Sequence, residues 1–533
     1  MNPRWRRALL LALLLAAIGW QFAQRHIGAR SGATAANSVA VPVAPDVLRL
    51  GRLSLEPCSI GAPRSGASSE RAYCTRFEVP EDWATPTGRK ISLKVAVVRA
   101  DTASPEPDLV VFLDGGPGGA ATDDYPAMAG ALTPLRKRHA LLLVDQRGTG
   151  GSNALDCDAH GEGDPATDAP LGATPAKVDA AATAATAATA RAAALARLRE
   201  CLDKVKAHAA PEHYATSDAL HDLEALRVAL GGPPLDLVGV SYGTRMAQQY
   251  ARAWPQSVRA IVLDSPVPNE LALGSENARN LEDVLQRIAS RCRTDHECTR
   301  RFGDPYAALQ RVHARLAAQP QVLEVRDPYT FQVRRRTVGG SELAQLLRFY
   351  AYSPLTAALI PYVVAEADAG RYAPLMGQAQ LVIGDVEDHV NGSMALSVLC
   401  AEDADRVSDA SEQGTVLGTD LVGWLRTACG AWPHGTRPAG FNEPFASDLP
   451  VLVLSGSDDP VTPPRYAHDI VKHLGHGRVL ELAGQGHAVL GAGCVPRLVE
   501  VFLRTLDARA LDAKCLGLLG TTPAFIDANG AAP

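Results

Sequence analysis

Short apolar runs recur along this chain with helical patterns between them. Leu109 to Leu113 (LVVFL), Ala140 to Val144 (ALLLV), Leu235 to Val240 (LDLVGV), Ala260 to Leu263 (AIVL) and Val451 to Leu454 (VLVL) are continuous and lack polar alternation. Such runs suit strands covered on both faces, the environment of a parallel sheet. Lys90 to Val98 (KISLKVAVV) alternates instead, which predicts a half-exposed strand. Ser217 to Leu230 reads as a helix, with Ser217 or Asp218 as N-cap and Gly231 as the stop. Alternating strands and helices predict an α/β class.

Two long segments interrupt the alternation. Asp156 to Ala210 holds an Ala/Thr-rich tract that Thr174 could cap, with Pro175 at the first helical position. High Ala content and an amphipathic end at Leu195, Leu198 and Val205 favour a helix there over disorder. Pro268 to Ser447 is mostly helical in pattern, and we read 268–447 as a helical lid inserted into the sheet domain. The sheet domain then comprises 46–267 and 448–520, and the tail 521–533 is expected to fray.

The first 27 residues form a targeting segment: Met-Asn-Pro-Arg-Trp-Arg-Arg, then an apolar run from Ala8 to Trp20. Positive charge before a short apolar run is the pattern of a secretory signal, and the run is shorter than the ~20 residues that span a bilayer comfortably. Cleavage would release the protein, whereas an uncleaved signal anchor would hold it to a membrane. Residues 28–45, rich in Ala, Ser, Gly and Val without a period, read as a linker. Both alternatives export the bulk of the chain to the periplasm or the exterior.

Composition agrees with a large globular protein: 533 residues, 47% of them hydrophobic, with 52 Lys+Arg against 58 Asp+Glu for a net charge of −6. The charges are spread along the chain, so there is no clustered basic face for a nucleic acid. An even count of ten Cys in an exported chain points to disulfides. Pairing neighbours gives Cys58-Cys74, Cys157-Cys201, Cys292-Cys298, Cys400-Cys429 and Cys494-Cys515. No Cys-x-x-Cys knuckle occurs, and no metal or organic cofactor is expected.

Gly239-Val240-Ser241-Tyr242-Gly243 is a G-x-S-x-G sequence lying between a strand run and a helical stretch, Thr244 to Arg252. Glycines permit a sharp strand-to-helix turn that lifts the Ser241 hydroxyl above the sheet, and the helix N-terminus favours developing negative charge. A serine nucleophile needs a base, and in architectures with this turn the acid and then the histidine follow later in the chain. Asp459, in Gly456-Ser457-Asp458-Asp459-Pro460 after the strand run, is the candidate acid, and Asp458 is the neighbour a one-residue shift would select. His487, in Gly484-Gln485-Gly486-His487 after the run Arg478 to Leu482, is the candidate base. The remaining donors would stabilise an oxyanion. Asp114-Gly115-Gly116-Pro117-Gly118-Gly119 follows the strand Leu109 to Leu113, and the amides of Gly116 and Tyr242 are the candidates. Asp145-Gln146-Arg147-Gly148-Thr149-Gly150 reads as a structural turn in which Arg147 braces neighbouring loops.

Taken together, GGPGG, DQRGTGGS, GVSYGT, GSDDPVTPP and GQGH, in that order from about Cys58 to Cys515, resemble the exported tripeptidyl aminopeptidase and prolyl aminopeptidase group. The resemblance implies an α/β-hydrolase fold and a serine peptidase acting at a free peptide N-terminus, with Ser241, Asp459 and His487 as its triad. The chain departs from the prolyl enzymes at Asp114, where they commonly carry His before the glycines. Ser397-Val398-Leu399-Cys400-Ala401-Glu402-Asp403 resembles the lid motif of the exported group, which makes Glu402 the candidate anchor for the substrate α-ammonium. The rival functions are a carboxylesterase using the same residues, which would be indifferent to a free amino group, and a non-catalytic binding protein on the same scaffold.

Overall fold

The computed structural model describes residues 47–61, 69–157, 180–326, 333–377, 390–408, 412–418 and 420–532. The targeting segment 1–27, the linker 28–45, and Thr174 and Pro175 lie outside them. In chain order the strands are β1 (Leu48–Leu50), β2 (Leu53–Ile60), β3 (Glu70–Pro80), β4 (Lys90–Val98), β5 (Leu109–Leu113), β6 (Ala140–Val144), β7 (Leu235–Val240) and β8 (Val258–Asp264). There follow β9 (Gln321–Arg326), β10 (Val333–Val338), β11 (Ser447–Gly456), β12 (Leu474–Leu482), β13 (Phe525–Asp527) and β14 (Gly530–Ala531).

Ten of these strands make one sheet in the order β1-β2-β3-β4-β6-β5-β7-β8-β11-β12. From β6 to β12 all neighbours are parallel. From β1 to β4, and between β4 and β6, they are antiparallel. The continuous apolar runs are explained by what covers the sheet. Val111, Leu113 and Leu237 join the core on one face with Leu223 and Ala247 from the helices Thr216–Ala229 and Tyr242–Ala253. Val110, Phe112 and Val238 join the core on the other with Leu132 and Phe502 from Ala121–Arg136 and Val495–Thr505. Successive strand residues point to opposite faces, so a strand covered on both sides has no polar positions to alternate.

Residues 268–447 carry the helices Asn277–Thr294, His296–Phe302, Pro305–Ala318, Gly340–Tyr350, Pro354–Ala357, Ile360–Asp368, Gly392–Glu402 and Asp420–Cys429. Those from Asn277–Thr294 to Ile360–Asp368 build a separate core around Leu281, Leu285, Val312, Leu347 and Val363, whereas Met394 and Val398 of Gly392–Glu402 join the core under the sheet. The β9–β10 hairpin is an addition to the helical reading; it is antiparallel and leaves Val322 and Val333 exposed.

Several local expectations change. The helix near Ser217 begins at Thr216 with Ala215 as its cap, and Asp218 sits inside the first turn, accepting the Ala215 N–H at 3.3 Å. The Ala/Thr tract is helical over Ala180–Lys206, with Leu202 and Val205 buried. The tail does not fray: β13 and β14 pair, and the Phe525 N–H donates to Ala358 O of the lid at 2.9 Å. All five disulfides join sequence neighbours as expected, the last tethering the segment before that tail. Among the described residues no helix is long and apolar enough to cross a membrane.

Candidate active site

Ser241 occupies the turn between β7 and the helix Tyr242–Ala253, with φ +54° and ψ −120°. This left-handed region is costly for a non-glycine residue and persists only where surrounding contacts over-determine it. Here the Ser241 N–H donates to Asp264 O at 2.9 Å, and the Ser241 carbonyl accepts the Thr244 N–H at 2.9 Å and the Thr244 hydroxyl at 2.6 Å. The turn also demands Gly243, because a Cβ there would lie 2.0 Å from Leu113 O.

The loop after β5 runs alongside the serine. A Cβ on Gly115 would stand 3.2 Å from Ser241 Cβ and 3.9 Å from its Oγ, so only glycine lets this backbone pass so close without crowding. The Gly115 N–H is turned to Asp114 Oδ1 at 2.7 Å. Among the described residues neither the Gly116 nor the Tyr242 amide has an acceptor. The Tyr242 side chain points into the protein, where its hydroxyl meets Thr216 Oγ1 at 2.6 Å and accepts from Gln146 Nε2 at 3.3 Å.

Asp459 follows β11 and is fully buried. Its Oδ1 accepts the amides of Val461 and Thr462, each at 2.8 Å, and its Oδ2 accepts the Thr462 hydroxyl at 2.8 Å. The same Oδ2 lies 2.8 Å from His487 Nδ1. Burial alone would raise this carboxyl, but the nearby imidazole and the amide donors outweigh it and hold Asp459 below the usual carboxylate range. Asp458 faces elsewhere: it pairs with Arg287 at 3.3 Å and Arg291 at 3.0 Å on the lid helix Asn277–Thr294. The structure therefore brings Asp459 and not Asp458 to the histidine.

His487 follows β12, and its N–H donates to Tyr352 O of the lid at 2.9 Å. The Tyr352 ring packs at 5.0 Å and 65° against the imidazole. Sequence reasoning missed both Thr462 and Tyr352. Thr462 was in view as part of an Asp-x-x-Thr turn, in which the acid side chain accepts the amide three residues on. Nothing local marks Tyr352, which arrives from a lid segment 135 residues before His487.

Glu402 ends the helix Gly392–Glu402 and is 1% exposed. Its Oε1 accepts the Thr216 N–H at 2.7 Å, while Oε2 faces Arg245 at 3.6 Å without a hydrogen bond. Burial pushes this carboxyl up to about 7, against the pull of Arg245 and Thr216. Arg245, one helical turn beyond Ser241, also donates to Asp403 at 2.7 Å, so the cluster ties the lid to the serine's helix. Arg147 is fully buried, as a brace should be: it pairs with Asp222 at 2.7 Å and donates to the carbonyls of Glu81 and His213, each at 2.7 Å.

One group of three potential metal ligands occurs among the described residues: Asp108, His139 and Asp236. It sits at the amino ends of the central strands, opposite Ser241, and Arg259 already supplies a cation 3.1 Å from Asp108 and in contact with Asp236.

A strand, a left-handed serine turn and a helix are followed by Asp459 after β11 and His487 after β12, with β8 and the lid between them in the chain. The family model for the alpha/beta hydrolase fold matches residues 108–491. The chain belongs to the α/β-hydrolase fold family. It is similar to serine protease Hip1 of Mycobacterium tuberculosis, 26% identical over 477 residues covering 83% of this chain and 87% of the relative. It is also similar to the tripeptidyl aminopeptidase of Streptomyces lividans, 25% identical over 467 residues and 83% of each chain. Among solved structures, the proline iminopeptidase of Mycobacterium smegmatis aligns with 82% of this chain and 100% of its own length, at a TM-score of 0.42 and 16% identity.

Proposed function

We propose that this α/β-hydrolase is an exported serine peptidase that cleaves amide bonds near the free N-terminus of peptides. Two observations carry the reading: the contact between His487 Nδ1 and Asp459 Oδ2 at 2.8 Å, and Ser241 held in a left-handed turn at the end of β7. Asp459 accepts a hydrogen bond from Nδ1–H, which leaves Nε2 as the basic nitrogen and stabilises the imidazolium once it forms. His487 takes the Ser241 proton as the hydroxyl attacks the scissile carbonyl. The resulting oxyanion is assigned to the Gly116 and Tyr242 amides, both free of other acceptors among the described residues. The intermediate collapses to an acyl-enzyme as His487 protonates the leaving amine. Water activated by the same histidine then releases the acyl product.

The names of the two relatives, a serine protease and a tripeptidyl aminopeptidase, favour a peptide over a simple ester as substrate. Five disulfides suit an oxidising compartment and so support export. We assign the substrate α-ammonium to Glu402, whose Oε2 lacks a hydrogen-bond donor among the described residues. Glu402 is 1% exposed, so the assignment requires the ammonium to reach a buried oxygen 3.6 Å from Arg245.

A serine-reactive phosphonate tests the nucleophile directly. Peptide mapping is expected to place the label on Ser241 and to find none in His487→Ala; labelling elsewhere, or none at all, would overturn the reading.

A further inference from the structure

His487 lies on a loop without regular secondary structure, yet four consecutive amides from that residue onward are fixed. The His487 N–H goes to Tyr352 O at 2.9 Å. The Ala488 N–H goes to Ser265 Oγ at 2.8 Å, the Val489 N–H to Asp264 Oδ1 at 2.9 Å and the Leu490 N–H to Asp264 Oδ2 at 2.7 Å. Three of the four acceptors belong to one dipeptide at the end of β8.

The same dipeptide holds the serine. Asp264 O accepts the Ser241 N–H at 2.9 Å, and the Ser265 N–H donates to Leu454 O of β11 at 2.9 Å. Ser265 and Ala488 both adopt left-handed backbone, with φ of +54° and +64°. Two non-glycine residues in that region, joined by a side-chain bond, indicate a junction whose geometry the surroundings dictate. Ser265 Oγ also donates to Asp264 Oδ1 at 3.2 Å, so every oxygen of the pair that faces the loop is engaged.

We propose that Asp264 and Ser265 are positioning residues that lock the base-bearing loop to the nucleophile turn, setting where the His487 imidazole stands relative to Ser241. This rests on the assignment of Ser241 and His487 above. Asp264 is fully buried and acts through the backbone of Ser241 and of the loop after His487. A carboxylate suits the task because it offers two acceptor oxygens to two adjacent amides, whereas Asn offers one acceptor and one donor. The titratable groups at the junction are Asp264, His487 and Asp459. Burial raises the Asp264 carboxyl to about 6, against the two amides and the His487 charge that pull it down. The carboxyl also stands within electrostatic reach of the imidazole.

The test compares Asp264→Asn, Ser265→Ala and Ser241→Ala with the parent, using a peptide amide substrate and a thermal melt to establish folding. Asp264→Asn is expected to lower kcat by about ten- to hundredfold, the cost of a misplaced catalytic group, with KM nearly unchanged. A fall in kcat without a matching change in KM is a split that a purely structural residue would not produce. Ser265→Ala removes one acceptor and should lower kcat by about two- to tenfold, in line with one hydrogen bond. Folded Asp264→Asn with the parent kcat would overturn the proposal. If Asp264→Asn fails to fold, parent kcat in Ser265→Ala overturns it. Activity surviving in Ser241→Ala would instead remove the assignment beneath it.

Discussion

Asp459 Oδ2 faces His487 Nδ1 at 2.8 Å, and the Thr462 hydroxyl donates to that same oxygen at 2.8 Å. The carboxylate is thus fixed by its own turn before it meets the imidazole, and it stays ionised because the imidazole and the amide donors hold its pKa low. Asp459→Asn should keep the fold and lose about three to four orders of magnitude in kcat, because an amide there favours the wrong imidazole tautomer. Asp458→Asn should leave kcat close to the parent and weaken only the half-exposed contacts to Arg287 and Arg291, by about 1 kcal/mol or less. Steady-state kinetics on the two variants separate these adjacent residues.

Glu402 supports a pH prediction. Its folded pKa, about 7, stands above the ordinary glutamate value, so the folded state binds this proton more tightly than the unfolded chain does. The associated stability is fully present below the ordinary value and is lost as pH rises towards 7. Glu402→Gln should flatten that decline in denaturation midpoints measured across the interval. If Glu402 also receives the substrate ammonium, the same variant should raise KM for free N-termini; an unchanged KM confines Glu402 to bracing the lid.

Arg147 and Asp222 form a buried pair whose removal is felt far from the chemistry. Trp83 Nε1 also donates to Asp222, at 3.0 Å. Arg147→Ala leaves the Asp222 carboxylate buried without its cation and should cost about 3–5 kcal/mol in urea unfolding. The double variant Arg147→Met with Asp222→Leu should recover much of that loss, since it buries no lone charge. A single variant as stable as the parent would contradict the bracing role.

Much of the sheet was legible because its parallel strands are buried on both faces, and a residue such as Phe112 or Val238 had no polar neighbour to blur the run. β2 and β3 were not read, since they pair near one edge and their burial is irregular. The site divided in the same way. Ser241, Asp459 and His487 each follow a strand within a turn of distinctive composition, so their neighbourhoods were visible locally. Tyr352, Asp264 and Ser265 act through contacts between segments distant in sequence, and no spacing announces such a contact. Glu402 was legible as a residue but not as a buried partner of Arg245, because local sequence does not record what packs over a helix end.

The most direct measurement is kcat/KM for tripeptidyl amides with free and acetylated N-termini, beside simple esters, for the parent and Ser241→Ala. The account predicts cleavage of the free amides by the parent, its loss on acetylation, and no turnover by Ser241→Ala. Equal cleavage of acetylated substrates, or turnover of the esters alone, would contradict it.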